Sequence, residues 1–487
     1  MQSAFTYKGI LVGALLSLCC GAGAVYGMLL VRGSWWGLNA SAPGAILLFF
    51  ILTCFVNTVL AFIRRPLALG PGDLVLIYAM MLMALTLPTQ NFLVHIIPTI
   101  CVPFYSASPE NDWRSTLHPY IPDWIAPQNY EAIKNLYEGL PKGQSIPWDA
   151  WYIPLGAWCA LFVALSLMMI CLAVILHRQW SQAEHLAYPM AQLPQAMLDP
   201  GSDPQARLAP FFKNPLVWIG FALPLVFFSF GGLNHYFPSV PAFNQFLPNW
   251  WWFQDEVRVI VFFSFAWIGF FYFINLEITA SIWVFYVITA IQRGVFSMIG
   301  LQSSHRLDAY APDAFSAHQG MGAMAVFVVV GTWVARSQIK EVFDKACRRH
   351  SKVDDSGEML PYRHAFFGLV IGLILIVIAL WMSGLTLPMA LLFMVVAMIL
   401  YLGLTRAVAE GGLPAMRPPI TTASFMVASA GTSVLGAEGL VALGFTYGWH
   451  AEIRSFVMSS VANGLKISQV TKGSKRRLFW VVVIAIL

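Results

Sequence analysis

Long apolar runs separated by short polar loops organise this chain. They fall at about 9–31, 44–63, 73–103, 152–176, 215–234, 259–274, 278–297, 318–335, 364–383 and 386–405. A Gly-rich run follows at 421–447, and a last one begins at 478 and stops at Leu487. About 20 apolar residues are needed to cross a bilayer as helix, so most of these runs predict spans. The last run holds only half a span, and the natural chain is expected to continue past it. The run from Gly9 to Val31 follows Lys8 as a signal peptide would, but it is long enough to span. Leu18 also stands where a lipoprotein cleavage site needs a small residue, so the run predicts a retained first helix.

Composition strengthens the pattern. Of 487 residues, 58% are hydrophobic and only 10% charged, against about 25% charged in soluble domains. The fold class expected is an all-α polytopic membrane bundle, one transmembrane domain over 1–487 with about 11–12 spans, some broken or re-entrant. Soluble enzymes, disulfide scaffolds and nucleic-acid binders are excluded. Seven cysteines include no CxxC pair, so neither a disulfide framework nor a zinc site is expected.

Charge placement sets the topology. Net charge is +5, from 28 Lys+Arg against 23 Asp+Glu. Seven basic residues crowd the loop 336–363, and Arg64, Arg65, Arg178, Arg207 and Lys213 follow the second and fourth runs. Loop 106–150 instead holds three basic against six acidic residues. The positive-inside rule places 178–213 and 336–363 in the cytoplasm and 106–150 outside, with the N-terminus cytoplasmic. Trp250, Trp251 and Trp252 would mark the outer end of the sixth span. Alternation requires 259–297 to break near Asn275-Leu276-Glu277. It also requires 421–447 to be a hairpin that enters and returns on one side, because Lys466, Lys472, Lys475, Arg476 and Arg477 follow it. Irregular backbone at membrane depth is tolerated only when buried in protein or lining a cavity. Helical spacing of Ile453, Phe456, Val457, Val461 and Leu465 predicts a helix lying in the membrane surface.

Three polar interruptions are candidate pathway sites. Glu277, beside Asn275, is an ionisable group in an apolar run, where it costs about 2.5–3.5 kcal/mol. It either binds a proton or solute at a helix break, or sits wet in a cytoplasmic turn. Arg406 and Glu410 are spaced to pair along a helix, and Gly411, Gly412 and Pro414 then end that helix. The alternative there is an ordinary cap with a surface ion pair. Gln90, Asn91 and His95, between Pro88 and Pro98, either break the third span or mark its outer end. No catalytic, metal or nucleotide motif appears, and no cofactor is expected.

The order of features resembles a bacterial multi-pass membrane family of unknown function. The stretches carrying it are Pro103-Phe104-Tyr105 with Ser108-Pro109-Glu110-Asn111, Tyr137-Glu138-Gly139-Leu140-Pro141 and Ile146-Pro147-Trp148. Others are His177-Arg178-Gln179-Trp180, Leu186-Ala187-Tyr188-Pro189 with Gln192-Leu193-Pro194, Tyr236-Phe237-Pro238-Ser239-Val240-Pro241, and Ala409-Glu410-Gly411-Gly412-Leu413-Pro414. That resemblance implies a bacterial inner-membrane location and no particular activity. Leu186 to Ala191 is also similar to a cytoplasmic Leu-x-(Tyr/Phe)-Pro stretch of the oligopeptide transporter superfamily. This likeness implies proton-coupled movement of peptides or metal chelates, and it assigns no binding residue.

Together these features point to an ion- or proton-coupled secondary transporter of a small solute. Its partners would be the bilayer, that solute and a coupling ion; a homo-oligomer or a larger membrane complex stays open. Two rivals stand beside it. One is a membrane-embedded enzyme using Glu110, Asp112, Trp113 and Asp123 on a lipid-linked substrate. The other is a non-catalytic subunit of a membrane assembly.

Overall fold

The structure, a computed structural model, describes residues 6–31, 33, 35–37, 42–86, 92–201, 208–241, 248–254, 256–301, 307–308, 311, 313–348, 353–450, 456–471 and 475–486. Among these, nine helices are long and apolar enough to cross a membrane. They are α1 (Tyr7–Leu29), α2 (Pro43–Ile63), α3 (Pro71–Leu85, whose span begins at Arg65), α6 (Tyr152–Arg178, running on through a π-turn to Ala183), α8 (Pro215–Tyr236), α10 (Leu276–Met298), α11 (Ala314–Val334), α13 (Tyr362–Met382) and α14 (Leu387–Gly411). Shorter pieces join them: α4 (Phe92–Tyr105), α5 (Tyr130–Glu138), α7 (Pro189–Leu198), α9 (Phe265–Tyr272), α12 (Arg336–Cys347), α15 (Thr422–Ala430), α16 (Thr432–His450), α17 (Val457–Ile467) and α18 (Arg476–Ile486). The result is an all-α multi-pass bundle.

Apolar side chains face outward as well as inward, as a lipid solvent allows. Leu216, Ile219, Leu223 and Val226 of α8 are all exposed. With lipid outside, burying one more leucine gains little, and close packing holds the helices together. Gly368 and Gly372 of α13 supply a small-residue stripe against α6. A Cβ on Gly372 would lie 2.9 Å from the Met168 Cβ and 3.1 Å from the Ala164 carbonyl oxygen. Where α1 meets α3, Thr6 donates from its amide (2.7 Å) and hydroxyl (3.0 Å) to buried Asp73.

The structure gives three predicted elements their form. The sixth run is not one helix, because Val257–Ile260 pairs antiparallel with Asn249–Trp252 as β2 and β1. Alternating Val257 and Val259 are buried against Ala290, while Arg258 between them lies over the Trp251 ring. That period-two pattern of β-branched residues favours a strand. The tryptophans expected at a helix end therefore sit in β1. What remains, α9, has 8 residues, too few to span. The chain then breaks at Phe273–Asn275 before α10 begins.

The second is the Gly-rich run, which folds as two helices, α15 and α16, packed on each other. Gly431 (φ 81°) breaks them apart, and Gly436 (φ 67°) kinks the second. The third is α17, expected on the membrane surface. It is buried on every face, Ser459, Ser460 and Asn463 included, and packs against α3, α6, α7 and α14. Two of its polar side chains donate to its own backbone: Ser459 Oγ to the Phe456 carbonyl (3.0 Å) and Asn463 Nδ2 to the Ser459 carbonyl (3.0 Å). That local pairing lets an amphipathic pattern enter the core.

Candidate functional site

The polar centre of the bundle lies where the loop after α6 meets the end of α14. After the π-turn, Glu184 is set by its amide bonding the Gln179 carbonyl (2.8 Å). The Leu186 amide bonds the carbonyl of buried Trp180 (2.8 Å), and the Tyr188 amide bonds the Ala409 carbonyl on α14 (2.8 Å). His185 and Tyr188 hold positive φ, 52° and 45°. Such geometry is rare for residues with a Cβ, so the surrounding contacts must enforce it. Pro189 then closes on Gly412, the left-handed residue that ends α14 at φ 63°. A Cβ there would come 2.4 Å from the Cβ of Pro189. The Leu-Ala-Tyr-Pro stretch and the Glu-Gly-Gly-Leu-Pro stretch thus form one joint.

Arg406 is the hub of this joint. Its Nη2 lies 2.5 Å from Glu184 Oε2, and both side chains are mostly buried, 14% and 13% exposed. Glu184 Oε1 accepts from Gln179 Nε2 at 2.9 Å. Arg406 Nε lies 3.4 Å from Glu410 Oε2, whose side chain is 44% exposed. The guanidinium also sits over the Phe327 ring of α11, 5.4 Å from its centroid. Gly331 on the same helix makes room for it, since a Cβ there would be 2.9 Å from Nη1. Nη1 itself finds no hydrogen-bond partner among the described residues. A cation is therefore held between two carboxylates where three separate parts of the chain meet.

A second polar seam leads from Arg406 into the bundle along α14 and α16. Tyr401 is five residues before Arg406, about 7.5 Å along a helix. Its hydroxyl is 2.7 Å from Nδ1 of fully buried His450, whose Nε2 is 2.6 Å from the Thr422 hydroxyl. One turn back on α16, the Tyr447 hydroxyl meets Ser424 Oγ at 2.9 Å, and Ser424 meets the Thr421 hydroxyl at 2.9 Å. The Thr421 amide donates to Asp308 (3.1 Å). Each of these buried groups has a partner, which is what a low-dielectric interior demands.

The positions singled out in the sequence divide between this joint and elsewhere. Arg406, Glu410, Gly411 and Gly412 are in it, and Arg406 and Glu410 do pair. Asn275 and Glu277 start α10 beside it: a Cβ on Gly411 would be 3.7 Å from Ile278 Cγ2. Glu277 is exposed, and its carboxylate joins no ion pair among the described residues. His95 is half-buried on α4, which packs chiefly on α16. Gln90 and Asn91 lie outside the described residues.

Sequence reading missed Glu184, Gln179, Tyr401 and His450. Glu184 meets Arg406 across 222 residues, a separation that no local spacing reveals. A signal did exist, because Glu184 lies between the His177–Trp180 and Leu186–Pro189 stretches. In the loop 106–150, two of the carboxylates make local hydrogen bonds. Asp112 accepts from the Ser115 hydroxyl at 2.5 Å. The exposed Glu110 carboxyl is held below its ordinary range by its hydrogen bond with Ser108.

Among the described residues no group of three or more His, Cys, Asp or Glu could hold a metal ion. Fold and joint together define a multi-pass helical membrane protein with a buried arginine–carboxylate centre. The chain belongs to the DUF6785 family, a family of unknown function, whose sequence profile matches residues 1–487. Comparison with curated proteins gives no match, so the likeness to oligopeptide transporters gains no support there.

Proposed function

We propose that this protein is an ion- or proton-coupled secondary transporter of a small solute, with its pathway at the Arg406–Glu184–Glu410 joint. The observation that carries this reading is the mostly buried Arg406–Glu184 pair at the junction of broken helices. Ionisable groups within membrane bundles characteristically mark solute and proton paths, and broken helices build such sites in transporters. Three breaks support it: Phe273–Asn275 before α10, Gly412 after α14, and Gly431 between α15 and α16. Asn275, Glu277, Gly411 and Gly412 would line the cytoplasmic mouth, and His95 the far side. The hairpin α15–α16 is then re-entrant, with the N-terminus cytoplasmic in a bacterial inner membrane. Glu184 and Glu410 share one guanidinium, so protonating either would leave Arg406 to the other, and a substrate carboxylate could take the vacated side. The enzyme reading is weaker, because Asp112 and Glu110 are engaged by the neighbouring Ser115 and Ser108.

The test is proton movement in liposomes holding the full chain and a trapped pH dye, challenged with a panel of di- and tripeptides and ferric chelates. Substrate-dependent flux is expected, falling at least tenfold in Glu184→Gln. Silence across the panel, together with full rescue of a deletion phenotype by the Glu184→Gln chain, would overturn the reading.

A further inference from the structure

A cavity of about 590 Å³ lies between α4, α16 and the loop 106–150. Pro98, Val102 and Pro103 form one wall, Leu117 and Ile121 a second, and Leu440, Val441, Gly444 and Phe445 a third. Its size falls in the range of about 300–1,000 Å³ typical of ligand sites. No ionisable carboxylate, lysine, arginine or histidine lines it, so a charged ligand group placed there would lose its solvation without a partner. The one phenol in the wall, Tyr447, spends its hydroxyl on Ser424 and Thr421. Apart from Thr99 and Thr116, the remaining lining is hydrocarbon.

The cavity is built into the fold. Pro98 and Pro103 lie inside α4 and line the space, and Gly444 leaves a gap where a Cβ would meet nothing within 4 Å. The roof is fixed in place. His118 Nε2 lies 2.9 Å from the Pro103 carbonyl oxygen, its ring packs on Phe104, and Trp158 Nε1 donates to the Ile125 carbonyl at 2.8 Å. The Trp158 ring in turn abuts Gly448 of α16. An apolar space this large, partly open and rigidly framed, is expected to hold an apolar occupant. Exposed Thr116 in the lining, with exposed Arg114 two residues before it, puts polar and cationic groups at the loop end.

From these features we infer that the cavity binds one acyl chain of a bilayer phospholipid, with its headgroup at Thr116 and Arg114 and its chain running along α16 toward Tyr447. This site is separate from the Arg406 joint and stands whether or not the protein transports a solute. Full-length protein in phosphatidylcholine nanodiscs, carrying a trace of phosphatidylcholine with a diazirine in one acyl chain, tests it by photolabelling and peptide mapping. Label is expected on Val102, Leu117 and the 437–447 segment, falling at least tenfold in Gly444→Leu, whose side chain would fill the space. Gly444→Ala should retain the label and controls for folding. Label unchanged by Gly444→Leu, or confined to outer faces such as Leu216–Val226, would overturn the inference. Labelling by a free diazirine-bearing long-chain alcohol but not by the phospholipid would overturn the lipid assignment.

Discussion

Replacing Glu184 by glutamine should cost far more than the same change at Glu410, although both face one guanidinium. Distance alone does not separate them. At an effective dielectric of about 20, gross attraction is about 7 kcal/mol at 2.5 Å and about 5 kcal/mol at 3.4 Å. Exposure does separate them. The Glu410 side chain is 44% exposed and its contact with Arg406 makes no hydrogen bond, so its net worth falls to about 0–1 kcal/mol. Glu184 is 13% exposed, and removing one partner of a buried pair costs about 3–5 kcal/mol because the other charge is stranded. Residual access to water brings the expected loss to about 2–3 kcal/mol, a factor of 30 or more in the folded ratio.

Double-mutant cycles in mixed detergent micelles, titrated with denaturing SDS and read by tryptophan fluorescence, measure this directly. The Arg406–Glu184 cycle should give a coupling of about 2 kcal/mol, and the Arg406–Glu410 cycle about 0.5 kcal/mol or less. Equal couplings, or an Arg406–Glu184 coupling below about 0.5 kcal/mol, would refute the assignment of Arg406 as a buried hub.

Gly412→Ala should destabilise by more than about 2 kcal/mol in the same titration, since it adds left-handed strain to a collision with Pro189; a neutral result would mean the joint is loose. Tyr188→Phe should be neutral or slightly stabilising, because the buried hydroxyl has no hydrogen-bond partner among the described residues. Tyr401→Phe should cost about 1–3 kcal/mol by stranding His450, so thermal shifts of the two variants should differ in size. Burial raises the carboxyl of Glu358 above its ordinary range, with Lys475 and Arg178 opposing in part. The folded state therefore holds that proton where the unfolded chain has released it, and stability falls as pH rises from the ordinary glutamate pKa through the raised one. Glu358→Gln should match wild type at acid pH and exceed it in thermal stability at neutral pH; a constant difference across pH would contradict this.

Runs of apolar residues determined the membrane class, most of the spans and the positions of the breaks, because hydration cost is summed along the local chain. Helical spacing likewise placed Arg406 opposite Glu410, and the glycines at 411 and 412 marked where their helix ends. Other features depended on packing between distant segments. Val257 and Val259 became a strand because a tryptophan ribbon was there to pair with. The amphipathic stretch at 457–467 entered the core because four helices cover it and Ser459 and Asn463 donate to its own backbone. Glu184 became the partner of Arg406 because Tyr188 and Pro189 lock onto Ala409 and Gly412, far along the chain. Glu277, the most conspicuous charge in the sequence, lies exposed at a helix start. Its flanking residues set the cost of burying it, and only the tertiary structure decided whether it would be buried.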